Sequence, residues 1–436
     1  MREDSRFVLR LWRDGRDAGA WRASLRDLRS DHTHVFRSIG ACCSYLQERA
    51  VDLDVGIDPD TVTVQAIWLD PTVVDRDITE DATWVVFVPT CPDYLVTSRG
   101  FVFADLIIEP GTTVVFGPGA ALEYRSGSIQ AVGTADAPIT FRGTDPTPGS
   151  WKGIAFTAND VRNELTHAIV DGAGAGRIGT GLDDNAVGVD GSARLRMTHT
   201  VVRNSAGVGL RVGGGVGGSL AGFASNRFES NAGVPVDLRL GDYVHYLDSD
   251  SAFAPEGEAN GAPYVLVRFA GAVAAPTTWQ ALDVPVRFGP ASPFGLVTVQ
   301  AALTLAPGSL FEFADGFGIN VASGGALIAD GSEARITLRG VGSGAGQWVG
   351  VSVVSDASDN VFDGVLIAGA GQSTFGLGGQ PAAIRIQRTG SLTVRNSEIR
   401  DSAGCGIHLH PSGSLTEDAN TFANVALADV CGGDDD

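Results

Sequence analysis

Short apolar segments separated by turn-forming residues dominate the chain after residue 50. In the first half they lie at 114–116, 139–141, 154–156, 169–170, 201–202 and 208–210, with Gly, Asn, Asp, Ser or Pro between them. The second half repeats them at 310–311, 336–338, 351–353, 366–367, Ile399, Ile407 and Phe422. Apolar runs this short, bounded by turn chemistry, predict β-strands. Helical periodicity is nearly absent over the same region.

The chain also contains a long internal duplication. Six landmark residues return 197 positions later: Pro110, Phe116, Ile139, Trp151, Gly153 and Gly174 become Pro307, Phe313, Ile336, Trp348, Gly350 and Gly371. Within each unit, apolar landmarks such as Val202 and Phe228, or Ile399 and Phe422, are 26 and 23 residues apart. Such spacings correspond to one turn of a β-solenoid.

Three segments carry a resemblance to a known family. They read IEPGTTVVF at 108–116, AVGTADAPITF at 131–141 and WKGI at 151–154. From about residue 83 to 430, the chain resembles bacterial right-handed parallel β-helix repeat proteins of the tandem-unit type found in secreted or surface proteins. The resemblance implies an all-β fold, a right-handed parallel β-helix in two duplicated units. It implies no particular activity, because this scaffold hosts unrelated functions.

Four regions are expected along the chain. Alternating residues at 7–12 and 21–26, followed by Val35 and Phe36, predict three strands, and 39–50 predicts a helix. These make residues 1–50 a small β-β-β-α module. Residues 51–82 then form a linker or N-terminal cap, 83–250 the first β-helix unit and 251–436 the second.

Composition and charge narrow the range of partners. Gly supplies 58 of 436 residues, which suits a chain that turns several times per coil. The net charge of −20 argues against nucleic acid as a partner. It also predicts repulsion of pectin-like polyanions unless cations bridge them, which favours neutral glycans or proteins. No apolar run is long enough for a transmembrane segment.

Candidate catalytic chemistry is sparse. Pectate lyases and polygalacturonases share this architecture and use clustered Asp residues, so a carbohydrate-active enzyme is one alternative. The weak catalytic candidates are Asp183, Asp184 and Asp363. No recurring column of Asp residues is visible at the alternating strand positions. The enzyme interpretation is therefore the less favoured one.

Metal binding has one weak local candidate. Asp52, Asp54, Asp58 and Asp60 surround Gly56 at even spacing, a pattern that could gather carboxylates around calcium. The order departs from an EF-hand loop, and a charged linker is the favoured interpretation. No other cofactor is indicated.

Five cysteines show no CxxC spacing, so zinc binding is not indicated. Cys405 and Cys431 are about one coil apart, which allows either a disulfide that staples the C-terminal coils or two buried thiols. Trp151 and Trp348 are each followed two residues later by Gly. We interpret them as packing residues, with a sugar-stacking pair as the alternative.

The favoured function is non-enzymatic. We expect a rigid surface or extracellular element that displays a long face to polysaccharide, envelope or protein partners. The alternatives are the carbohydrate-active enzyme and a purely structural spacer. The resemblance implies export, whereas residues 1–5 lack the features of a signal peptide, which leaves a cytoplasmic location open.

Overall fold

The predicted parallel β-helix is confirmed by a computed structural model. The structure describes residues 7–13, 21–27, 33–36, 71–87, 92–178, 184–213, 219–289, 295–372 and 380–432. From residue 71 onward, successive strands are laid down in turn on three sides of a solenoid, and each pairs in parallel with the strand one coil away. No helix within these ranges is long and apolar enough to cross a lipid bilayer.

One sheet runs through both duplicated units. This sheet I consists of β7 (Arg99–Val102), β10 (Ala121–Tyr124), β13 (Gly153–Phe156), β16 (Asn185–Val189), β19 (Val208–Val212), β22 (Val236–Leu240), β23 (Val265–Phe269), β26 (Val286–Phe288), β29 (Leu310–Phe313), β32 (Ile336–Gly340), β35 (Val365–Ala368), β38 (Glu398–Ser402) and β41 (Thr421–Val425).

Two further sheets complete the first unit. Sheet II consists of β4 (Thr72–Val74), β6 (Tyr94–Val96), β9 (Thr113–Phe116), β12 (Ile139–Gly143), β15 (Ala168–Asp171), β18 (Val201–Arg203) and β21 (Arg227–Glu229). Sheet III consists of β5 (Ala82–Trp84), β8 (Leu106–Ile108), β11 (Ile129–Val132), β14 (Glu164–Thr166), β17 (Arg194–Thr198) and β20 (Ser219–Ala224).

Two different sheets complete the second unit. Sheet IV consists of β24 (Ala272–Val273), β27 (Gly295–Val299), β30 (Phe317–Val321), β33 (Gly350–Val353), β36 (Ala382–Ile386), β39 (Cys405–Leu409) and β42 (Val430–Gly432). Sheet V consists of β25 (Thr277–Trp279), β28 (Ala302–Leu305), β31 (Ala326–Asp330), β34 (Val361–Asp363), β37 (Ser391–Arg395) and β40 (Ser414–Asp418).

The core consists of inward residues stacked from coil to coil. In sheet II, Val114, Phe141, Val170, Val202 and Phe228 follow one another in register, and all five are fully buried. Successive side chains of a strand point to opposite faces, so every second residue points into the core, and each strand contributes one residue to this column. The pairing of Val202 with Phe228 confirms the expected coil of 26 residues.

Aromatic pairs anchor equivalent positions in both units. Phe116 stacks on Trp151 at 4.0 Å between ring centroids, and Phe313 stacks on Trp348 at 4.5 Å. The indole Nε1–H of each tryptophan donates to a backbone carbonyl oxygen, which for Trp151 is that of Asp171 at 2.8 Å. Both tryptophans are fully buried. The packing interpretation is thus confirmed, and an exposed sugar-stacking pair is excluded.

The two units form one continuous β-helix. β22 of the first unit pairs in parallel with β23 of the second within sheet I. The 3₁₀ helix Gly241–Tyr246 follows β22 and contacts both β20 of sheet III and β24 of sheet IV. The second unit is turned by one sheet relative to the first: β12 lies in sheet II, whereas its duplicate β32 lies in sheet I.

Short polar residues shape the coil corners. Asn204, Asp401 and Asn424 have φ near +53°, a left-handed conformation that short polar side chains tolerate. Asn231 acts differently, as a step in a buried ladder. Its Nδ2 donates to Oδ1 of Asn260 at 2.8 Å. This satisfies amide groups that would otherwise be costly to bury.

The N-terminal region contains the three predicted strands, β1 (Phe7–Arg13), β2 (Trp21–Asp27) and β3 (Thr33–Phe36), in one antiparallel sheet. The predicted helix at 39–50 lies outside the described residues. In the segment assigned to a linker or cap, β4 already pairs with β6. Residues 71–82 therefore belong to the first coil of the solenoid.

Candidate functional site

The catalytic candidate Asp363 is held in an ion pair at the end of β34. Its Oδ2 accepts a hydrogen bond from Nε of Arg395 at 2.8 Å, and its Oδ1 accepts one from Nδ2 of Asn396 at 2.8 Å. In the first unit, Asp171 makes the same pair of contacts with Arg203 and Asn204. This recurrence indicates a structural role for the carboxylate at the coil corner.

A second carboxylate beside Asp363 was missed from the sequence. Asp330 is the register partner of Asp363 on the neighbouring coil of sheet V. The Oδ1 atom of Asp330 accepts the backbone N–H of Ser332, and hydrogen bonding to Ser332 lowers the pKa of Asp330. A glycosidase acid needs the opposite, a carboxyl whose pKa is raised so that it stays protonated. The shift at Asp330 is therefore in the wrong direction for such an acid.

The candidate Asp184 lies in the first unit, away from Asp363. Asp183 lies outside the described residues. Asp184 is exposed immediately before β16 of sheet I, and its carbonyl oxygen accepts the backbone N–H of Val208. Asp184 and Asp363 thus belong to different units and different sheets. They do not form a carboxylate pair with one another.

The candidate calcium ligands Asp52, Asp54, Asp58 and Asp60 all lie outside the described residues. Across the described ranges, no group of three or more His, Cys, Asp or Glu side chains is placed to hold a metal ion.

Cys405 and Cys431 are joined by a disulfide between neighbouring coils of sheet IV. Their Cα atoms are 6.0 Å apart, within the range that a disulfide requires. The bond links β39 to β42, the last described strand of the chain. Of the two alternatives, the structure contains the staple of the C-terminal coils.

Sheet IV carries a polar column in the second unit. Ser352, Arg385 and His408 follow one another in register and are all buried, although they point away from the core. Their duplicates in the first unit are Ala155, Gly188 and Arg211, so only the third of these positions is polar in both units. One strand separates Ser352 from His408, a distance of about 10 Å. A serine nucleophile beside a histidine base is thus not formed.

The outward surface of sheet I carries a charged column across the junction of the units. The register runs from Asp237 through Leu266, Arg287 and Glu312 to Arg339. Each of these side chains is one coil from the next, at a strand spacing of about 4.8 Å. The sequence did not reveal this column, because its members are 21 to 29 residues apart and belong to different units.

Arginines enclose both acidic residues of the column. The Oδ2 atom of Asp237 accepts hydrogen bonds from Nε of Arg268 at 2.8 Å and from Nη2 of Arg268 at 2.6 Å. The Oε2 atom of Glu312 accepts a hydrogen bond from Nε of Arg287 at 2.7 Å, and its Oε1 atom accepts one from Nη2 of Arg339 at 2.6 Å. The carboxylates are 1% and 4% exposed at the side chain, whereas Arg339 is 48% exposed. These arginine side chains are therefore more exposed to solvent than the carboxylates they bind.

Comparisons with known proteins give no relative for this chain. No protein-family model matches it, and no curated protein or solved structure is significantly similar to it. What the fold defines is a class, a two-unit parallel β-helix.

Proposed function

We propose that this protein is a non-enzymatic β-solenoid that binds a polysaccharide, with an envelope component or a protein as other partners of the same surface. The observation that carries the proposal is sheet I, whose 13 strands run unbroken through both units. Stacked coils place outward side chains in long, regularly spaced rows on a rigid support. A repeating polymer fits such a row because its units recur at intervals comparable to the coils.

The enzyme alternative has one observation in its favour, the adjacent carboxylates Asp330 and Asp363. Their contacts argue against it. Both oxygens of Asp363 are engaged by Arg395 and Asn396, and hydrogen bonding lowers the pKa of Asp330. The lowered pKa of Asp330 disfavours the protonated form that a general acid needs at neutral pH. We therefore favour binding over cleavage.

Export to the cell surface or beyond is part of this proposal. The Cys405–Cys431 disulfide supports it, because disulfides form and persist in oxidising compartments and are rare in the cytosol.

A glycan-binding screen combined with a product assay tests the proposal. The full chain is applied to immobilised neutral and acidic polysaccharides, with and without calcium, and the same mixtures are assayed for reducing ends and unsaturated products. We expect binding without products. Products that disappear in the Asp363→Asn variant would establish the enzyme instead. Failure to bind any glycan, envelope fraction or protein would leave the structural spacer as the function.

A further inference from the structure

We propose that the outward face of sheet I at the junction of the units binds a carboxylated polysaccharide, one whose sugars carry uronate groups. The site consists of four partly exposed arginines in two neighbouring outward columns, Arg239 and Arg268 in one and Arg287 and Arg339 in the other, here called the arginine stripe. This inference rests on the proposed function, since it names the class of glycan.

The stripe is locally positive on an acidic protein. Among the described residues, the carboxylates of Asp237 and Glu312 form ion pairs with three of its four arginines. The whole chain carries a net charge of −20. At physiological ionic strength, charges further away than about 8 Å are largely screened. The local excess of cations therefore decides what binds here, although the overall charge alone predicts repulsion of polyanions.

Two arginines of the stripe, Arg239 and Arg268, lie side by side on adjacent coils. Leu238 pairs with Val267 and Leu240 with Phe269, which places Arg239 next to Arg268 on the adjacent coil. Arg268 takes the carboxylate of Asp237. Within the described part of the chain, Arg239 forms no ion pair, and its guanidinium lies 5.6 Å from the ring centroid of Phe269. Like charges directly opposite each other destabilise a sheet. A bound anion would relieve this repulsion.

The existing ion pairs show which anion fits. Arg287 and Arg339 approach Glu312 from the two neighbouring coils and donate through Nε and Nη2 to its two oxygens. A guanidinium has five N–H donors, and the contacts that Arg287 and Arg339 make with Glu312 use those on Nε and Nη2. A carboxylate is the group already accommodated between these arginines. A uronate on the solvent side would repeat the same planar, charge-assisted pairing.

Spacing and shape favour a glycan over nucleic acid. The stripe extends over four strand spacings, from β22 to β32, or about 19 Å. The guanidinium of Arg287 lies over the ring of Tyr264, 3.7 Å from the ring centroid. Leu266 is half-buried in the same column as Arg287. Because the guanidinium covers the ring of Tyr264, the apolar contact that a sugar ring can make here is with Leu266. Nucleic acid needs a denser track of cations, whereas the arginines of the stripe are interspersed with the carboxylates of Asp237 and Glu312.

The decisive test compares an anionic glycan with its neutral form. Binding of oligogalacturonate and of its methyl ester is measured by calorimetry at 50, 150 and 500 mM NaCl. The variants are Arg239→Gln alone and combined with Arg339→Gln. The matched control carries Arg76→Gln and Arg388→Gln, two exposed arginines far from the stripe. Circular dichroism and thermal unfolding confirm that each variant is folded.

We expect oligogalacturonate to bind more weakly as salt rises, and its methyl ester to bind at least about tenfold more weakly. The double variant should lose at least about tenfold in affinity, Arg239→Gln should lose part of that, and the control should match the parent. Because Arg239 forms no ion pair among the described residues, its replacement leaves no buried carboxylate unpaired.

Several outcomes would overturn the inference. Equal binding of the ester, or an unchanged double variant, would show that the stripe is not the site while leaving the glycan-binding function intact. Equally tight binding of single-stranded DNA, lost in the same variant, would make the stripe a general polyanion site. If neither oligogalacturonate nor its ester binds, the inference fails, and the screen of glycans, envelope fractions and proteins decides separately whether the proposed function stands.

Discussion

Removing Phe116 or Phe313 should destabilise the solenoid by a similar, large amount. Both side chains are fully buried, and each stacks on a fully buried tryptophan. Phe→Ala in a core typically costs about 3–5 kcal/mol, and an aromatic pair contributes about 0.5–1.5 kcal/mol beyond its buried area. Because each phenylalanine also loses its stacking partner, we expect a loss in the upper half of the Phe→Ala range, about 4–5 kcal/mol. Because each coil contacts only its neighbours, the loss should be concentrated there.

Denaturant unfolding, followed by tryptophan fluorescence and far-ultraviolet circular dichroism, measures the effect. The matched control is Phe103→Ala, since Phe103 is 46% exposed and should lose far less. Amide hydrogen exchange at the coils around Trp151 and Trp348 locates the loss. If either core variant unfolds at the same denaturant concentration as the parent, or no earlier than the Phe103 control, the two phenylalanines are not equivalent core residues.

Three further predictions test other features. Reducing the Cys405–Cys431 bond, which closes a separation of 26 residues, should cost about 3–4 kcal/mol in the C-terminal coils, and unchanged hydrogen exchange there would contradict it. Burial raises the pKa of Asp242, so folding favours its protonated form and the stability of the protein falls as pH rises through that pKa. The Asp242→Asn variant should therefore be more stable than the parent at pH 7 and no more stable below about pH 4. Thermal unfolding across this pH range measures the difference. Asp363→Asn should lose about 1–2 kcal/mol by weakening the contact with Arg395, measured in denaturant, while glycan binding stays at the parent level.

The sequence contained enough information for the fold because the same local rules recur in every coil. The spacing of Val202 and Phe228 predicted a coil length that the register reproduces. The shared offset of Trp151 and Trp348 predicted equivalent packing, which their burial confirms. These features depend on residues close in sequence or on repetition, both of which a single chain displays.

The turn of one sheet between the units could not be predicted. It depends on how the segment after Leu240, including the 3₁₀ helix Gly241–Tyr246, takes the place of ordinary strands. The arginine stripe was hidden for the same reason, since it combines strands from both sides of this junction. Asp363 was flagged from its position on a predicted strand, whereas its partner Arg395 lies 32 residues later and had no local signal.

The turn between the units also limits what duplication can have provided. Two identical copies on one side of a rod would offer a polymer two equivalent sites, and their joint occupancy would strengthen binding without any new contact. Here equivalent strands face different directions, as β13 in sheet I and β33 in sheet IV do. The two copies cannot both present the same residues to one straight ligand. Sheet I, which spans both units, is built from non-equivalent strands, so a side chain displayed on it by one unit has its duplicate on another face.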